Sequence, residues 1–125
     1  MKKYASVVAI CLVALMVTLA FAAAIKVDLL AYPGTGYGSG QAILNYAKGA
    51  DKTEIQVNCW GLDPGEWYTV RIGPLTPRWK SLGTFTAKKN GEGHIHARLS
   101  GDWSSNYIAV NLQDTKTTIL MDERY

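Results

Sequence analysis

The sequence predicts an all-β domain of about eight short antiparallel strands behind an apolar N-terminal leader. Three observations predict it. Short runs of alternating apolar and polar residues recur from residue 26 to 121, each closed by Gly, Pro, Asn or Asp, which is the pattern of a sandwich or barrel. No segment keeps a helical period for more than a turn or two. The first 25 residues differ in composition from everything after them.

The leader comes first. Lys2 and Lys3 give it a positive start, and from Ala5 to Ile25 there is no charge, with only Ser6 and Thr18 polar. Ala20-Phe21-Ala22 supplies the small-x-small pattern of a cleavage site, so residues 1–22 are expected to be a secretory signal peptide and 23–125 a single domain. The apolar run of residues 5–25 also reaches the length of about 20 residues that spans a bilayer. Retention as a membrane anchor is therefore the alternative. Both readings place the domain outside the cytoplasm, secreted or in the cell envelope. Cys11 does not suit a lipid-carrying cysteine, because Ile10 before it is bulky and the apolar run continues well past it.

Strands are expected near 26–31, 40–47, 53–60, 66–73, 81–87, 93–99, 106–112 and 117–121. Ile55, Val57 and Cys59 alternate with Gln56 and Asn58. Tyr68, Val70 and Ile72 alternate with Thr69 and Arg71, and Ile108, Val110 and Leu112 with Ala109 and Asn111. A period of two turns the first set of each run toward one buried face. Cys59 then packs as a small inward hydrophobe, which raises its pKa and makes it inert. With Cys11 in the leader, it has no partner for a disulfide within the mature domain. Gly61-Leu62-Asp63-Pro64-Gly65 separates two strands. Asn90-Gly91 predicts a type I′ hairpin turn joining 82–87 to 94–99. The glycines of PGTGYGSG (33–40) alternate and lead into a strand, so they match no phosphate-binding loop and are read as a flexible connector.

Composition excludes several functions. The full chain carries +3. Without the leader, eleven basic residues face ten acidic ones, which leaves no electrostatic footprint for nucleic acid. Lys88-Lys89 is read as a solvated pair in a turn. No Asn-x-Ser/Thr site is present. No nucleophile–base–acid set suggests a triad, and Asp63 and Glu66 flank a turn where carboxylates are usually just solvated. No cofactor is expected.

Two features remain as candidate sites. In 94–99, Ile95, Ala97 and Leu99 face the core, so His94, His96 and Arg98 share the outer face. Residues i and i+2 of a strand lie about 6.5–7 Å apart, close enough for both imidazoles to reach one zinc or copper ion. They are the only two histidines in the chain, and a metal site needs about three or four ligands. The alternatives are a metal pair, His94 and His96, and a solvated polar face. The second feature is the set of four tryptophans. Trp67 is out of phase with Tyr68, Val70 and Ile72, so it should face outward near Thr69 and Arg71, and Trp103 follows Gly101-Asp102 in a loop. Such rings either cap the ends of the domain or form a contact surface; the surface would be Trp67, Arg71 and Trp103, its partner an extracellular protein or a glycan.

Two long segments carry a resemblance. LGTFTAKKNGEGHIHARLSGDWSSNYIAVNLQD (82–114) resembles the second half of copper/zinc superoxide dismutases, and SGQAILNYAKGADKTEIQVNCWGLDPGEWYTVRI (39–72) the first half. Chordin-type CHRD domains share the same grammar of strands and turns. The resemblance implies a Greek-key β-sandwich of immunoglobulin-like architecture. It also implies where a metal site would be, and most of it is missing here. The strand that should bring a copper H-x-H reads Glu66-Trp67-Tyr68-Thr69-Val70-Arg71. The expected histidine of the last valine-rich strand falls near Asn111, the zinc aspartate falls near His94, and the zinc-binding loop shrinks to residues 73–78. The expectation is a non-catalytic, exported domain with a binding or structural role. Metal binding through His94 and His96, and glycan binding through exposed tryptophan, are the alternatives.

Overall fold

The computed structural model describes residues 24–73 and 78–125. The expected signal peptide, and all but the last two residues of the alternative anchor, lie outside the described residues.

Eight strands form: β1 (Ile25–Ala31), β2 (Ser39–Ala47), β3 (Lys52–Trp60), β4 (Trp67–Gly73), β5 (Lys80–Thr86), β6 (Gly93–Ser100), β7 (Tyr107–Leu112) and β8 (Thr118–Asp122). Each bound lies within one residue of the expectation from alternation and turn residues. There is no helix among the described residues. All the strand pairs are antiparallel, and they join into one sheet in the order β5-β4-β7-β8-β1-β2-β3-β6. The expected sandwich is therefore one continuous sheet that wraps round until its two edge strands meet.

The inward sets named from alternation form the core. Ile55, Val57, Tyr68, Val70, Ile72, Ile108 and Val110 are fully buried, joined by Val27, Leu29, Leu44 and Leu120. Leu112 is only partly buried and packs on the rim of this cluster. Each large aliphatic side chain so buried contributes roughly 1.5–3 kcal/mol relative to exposure. One end is plugged by Leu62, Tyr37 and Tyr68. The Tyr37 and Tyr68 hydroxyls lie 2.8 Å apart, and the Asp63 amide donates to the Tyr68 hydroxyl at 3.1 Å. Burial, reinforced by that hydrogen bond, raises the Tyr37 hydroxyl well above its ordinary pKa.

The edges β5 and β6 do not form a ladder. They meet through side chains. Phe85 lies over Gly93, where any Cβ would fall within its ring, and Ile95 lies over Gly83, where a Cβ would sit 2.6 Å from Ile95 Cδ1. Phe85 also stacks on Tyr68, with ring centroids 5.5 Å apart. The turn between the two strands differs from the expected type I′. Gly91 takes a positive φ of 81°, but Asn90 is not among the residues with positive φ. Gly91 N–H donates to Lys88 C=O at 2.8 Å, and Lys88 N–H to Glu92 C=O at 2.9 Å. This is a type I turn closed by a left-handed glycine, the usual three-residue loop. Asn90 Oδ1 accepts the Glu92 N–H at 3.1 Å, an Asx-type contact within the turn.

Two ladders slip by one residue. Between β4 and β5, Val70 pairs with Gly83 but Arg71 with Ser81. Between β7 and β8, Val110 pairs with Leu120 but Asn111 with Thr118. The second bulge explains why Ile119 and Leu120 are both buried in succession. Bulges concentrate beside functional sites, where they re-aim side chains.

Candidate functional site

The expected site residues fall in four separate places. His94 and His96 lie exposed on β6, opposite Asn58 and Gln56 of β3. The Nδ1–H of His94 donates to Asn58 Oδ1 at 2.6 Å. His96 Nε2 is 4.0 Å from Glu54 Oε2, while the other oxygen of Glu54 accepts from Arg98. That hydrogen bond and the charge of Arg98 hold the Glu54 carboxyl below its ordinary range. The face is thus a cross-strand row of paired polar groups. Among the described residues, no three His, Cys, Asp or Glu side chains are placed to hold a metal ion together.

Trp67 is 53% exposed on the outer face at the start of β4, as its phase requires. Trp103 is half-buried and packs against the core. Its backbone N–H donates to Thr53 Oγ1 at 2.9 Å and its indole N–H to Ser100 C=O at 2.9 Å. Thr53, itself fully buried, donates to Gly101 C=O at 2.7 Å, so this corner is satisfied. Trp103 therefore caps one end. Trp67 stands at the other, since β4 runs from Trp67 to Gly73 and only Gly73 lies opposite Tyr107, the neighbour of the Trp103 loop. The two rings do not share a surface. Cys59 is buried, and desolvation pushes its thiol up to about 12.

Two expected residues line hollows: His94, in one of about 340 Å³ with Asn58, Trp60, Lys88 and Glu92, and Arg71. Arg71 lies on the outer face of β4, directly opposite Ala109 of β7, with Asn111 two residues further along. The small Ala109 leaves a floor between them. The walls are Tyr32, Trp79, Met121 and Tyr125, enclosing a cavity of about 190 Å³. The bulges build this arrangement. One falls at Arg71, the other at Asn111. Ile119, the extra residue of the second bulge, offers its C=O to Tyr32 N–H at 2.9 Å and so holds Tyr32 on the rim. Trp79 leans on Tyr125, with centroids 6.4 Å apart and planes tilted by 52°, and Tyr125 meets Tyr107 edge-on at 5.6 Å.

Two polar atoms here are buried and have no partner among the described residues: Arg71 Nε and Asn111 Oδ1. The amide of Asn111 faces Lys116 C=O with its Nδ2, at 3.5 Å, which leaves Oδ1 over. None of the ion pairs among the described residues involves Arg71. Leaving a buried polar atom unpaired costs about 1–3 kcal/mol. The other internal charges contrast with this. Asp122, only 2% exposed, is gripped by Arg124 through Nε at 3.0 Å and Nη2 at 2.8 Å, and its Oδ2 accepts the Ile108 amide at 3.2 Å. Arg124 also donates to the Ser104 and Asn106 carbonyls at 3.0 and 2.6 Å. It is a fastened latch, whereas the hollow around Arg71 has polar valence left over.

Sequence reasoning marked Arg71 but not Tyr32, Trp79, Asn111 or Tyr125 as its companions. One signal was available: Thr118-Ile119-Leu120-Met121 breaks strict alternation, and such a break marks a bulge. Compared with known protein families, characterised proteins and solved structures, the chain matches none.

Proposed function

We propose that the chain is an exported, non-catalytic binding domain that takes its ligand in the hollow over β4, β7 and β8, and that the ligand is a glycan. The observation that carries this reading is the pair of unpartnered polar atoms, Arg71 Nε and Asn111 Oδ1, beneath a rim of Tyr32, Trp79 and Tyr125. The exposed lining of the hollow is more polar than apolar, which suits a hydroxyl-rich ligand. Aromatic faces with polar surroundings suit the apolar faces and hydroxyl edges of a sugar ring. Export rests on the Lys2-Lys3 start, the uncharged run and the Ala20-Phe21-Ala22 step.

The domain is further read as a Greek-key barrel of the superoxide dismutase-like type. The sheet order supports this: with β5 beside β6, strands three to six follow the order β3-β6-β5-β4, which is the Greek-key order. In that reading the strand expected to bring a copper H-x-H, residues 66–71, has no metal ligand and ends in Arg71, and the expected histidine of the last strand falls near Asn111; a cation and an amide suit an organic ligand and not a metal.

The test is a glycan array probed with the full chain, followed by amide chemical-shift mapping with a bound glycan. Shifts clustered on β4, β7 and β8, and lost in Trp79→Ala, are expected. Glycan shifts centred instead on His94 and His96 or on Trp67 would overturn the placement, and no binding by any glycan would overturn the ligand class.

A further inference from the structure

Resting on that reading of the hollow, we infer that the glycan carries a carboxylate, as a uronic acid does, and that Arg71 receives it. Among the described residues, Arg71 is the only side chain lining the cavity that carries a charge, and none of their ion pairs engages it. Its guanidinium is a planar fork of donors that matches a planar carboxylate better than it matches a neutral hydroxyl. Asn111 sets the second requirement. One N–H of its Nδ2 is turned to Lys116 C=O, and Oδ1 is the atom left without a partner, so a hydroxyl beside the carboxylate that donates to Oδ1 meets the unfilled need. A neutral sugar would satisfy the amide and leave the guanidinium without a counter-charge. A simple anion would satisfy the guanidinium and leave the amide unpaired. A sugar acid provides both groups on one ring.

Size and continuation agree. About 190 Å³ is below the 300–1,000 Å³ typical of drug-sized ligands, so the hollow holds one ring. It adjoins a second cavity of about 440 Å³ that shares Tyr32, Met121 and Tyr125, continues over Leu30 and Pro33, and is bordered by Asp122 and Glu123, so the ring seated there is a neutral one. Leu30 is 54% exposed there. The wall of that second cavity is mostly apolar on the side it shares, which suits the face of a neighbouring ring. The ligand is then an oligosaccharide with its acidic residue over Arg71 and the next residue along Tyr32 and Leu30.

The experiment is calorimetric titration of the full chain with three oligosaccharides of the same backbone: a uronate oligomer, its carboxyl-reduced neutral form, and a sulfated neutral form. The uronate is expected to bind at least tenfold more tightly than the reduced form, and Arg71→Gln should bring the two to within twofold of each other. Comparison of reduced and unreduced ligand needs no variant, so it stands even where Arg71→Gln fails to fold. Equal binding of uronate and reduced forms overturns the carboxylate inference and leaves the glycan reading in place. Preference for the sulfated form, or a uronate preference that survives Arg71→Gln, also overturns it. If no oligosaccharide binds and no amide of β4 or β7 shifts, both readings fall.

Discussion

Arg71 and Asn111 each sit at a one-residue slip in a ladder, and each leaves one shielded polar atom unpaired. Such atoms lower stability unless a ligand meets them, so removing them should help the empty domain. Arg71→Met keeps an apolar stem out to the position of Nε and drops the unmet donor with the rest of the guanidinium. It is expected to raise unfolding stability by about 1 kcal/mol in urea titration while abolishing binding of an acidic glycan. A destabilised Arg71→Met would mean that the guanidinium already serves the fold. Cys59 gives the opposite case, a residue whose role was legible from alternation alone. Its thiol, raised to about 12 by burial, should be unreactive toward a maleimide at pH 8 in the native domain and react at once after unfolding in guanidinium.

Among the elements, period-two alternation and turn residues located all eight strands, because both signals act on nearest neighbours along the chain. The bulges and the hollow were not legible in the same way. They depend on which strands become partners, and β4 meets β7 across a long stretch of chain. The Asn90-Gly91 turn shows the same limit on a small scale. The dipeptide located the reversal, but the strands it joins divide between two ladders, β5 with β4 and β6 with β3, and the turn accordingly takes another form. Where those strands meet, packing is intolerant. Gly93→Ala places a methyl into the Phe85 ring. Overpacking of this kind costs about 1–3 kcal/mol, and a loss in that range is expected from thermal or urea unfolding. Gly49 has open space around it, so Gly49→Ala is the matched control and should cost well under that.

For the molecule as a whole, charge pairs tie distant parts of the chain together. The Arg124 latch fastens the end of β8 to residues 104 and 106 before β7. Arg124→Ala strands the Asp122 carboxylate, which is 2% exposed, and such a loss costs about 3–5 kcal/mol; the measured quantity is again the urea midpoint. On the opposite face, Glu54 joins β3 to Arg98 of β6. Its pKa is lowered from 4.5 in the fold, so the contribution of the carboxylate is complete above about pH 4.5 and is lost as pH falls through the lower folded value. Glu54→Gln should therefore differ from the parent in melting temperature at pH 7, and the difference should vanish toward pH 2.

The sheet's two outermost strands are also consecutive in the sequence, linked only by residues 87–92. Circularisation of the sheet is consequently a short-range event, carrying a small loop-entropy cost, while the union of β1 with β8 must span nearly the whole domain. In pulse-labelling during refolding, the clasp made by residues 85–95 should gain protection ahead of the β1–β8 junction. A cylinder of this kind is expected to be buckled before its wall is complete, with the β1–β8 seam closing last.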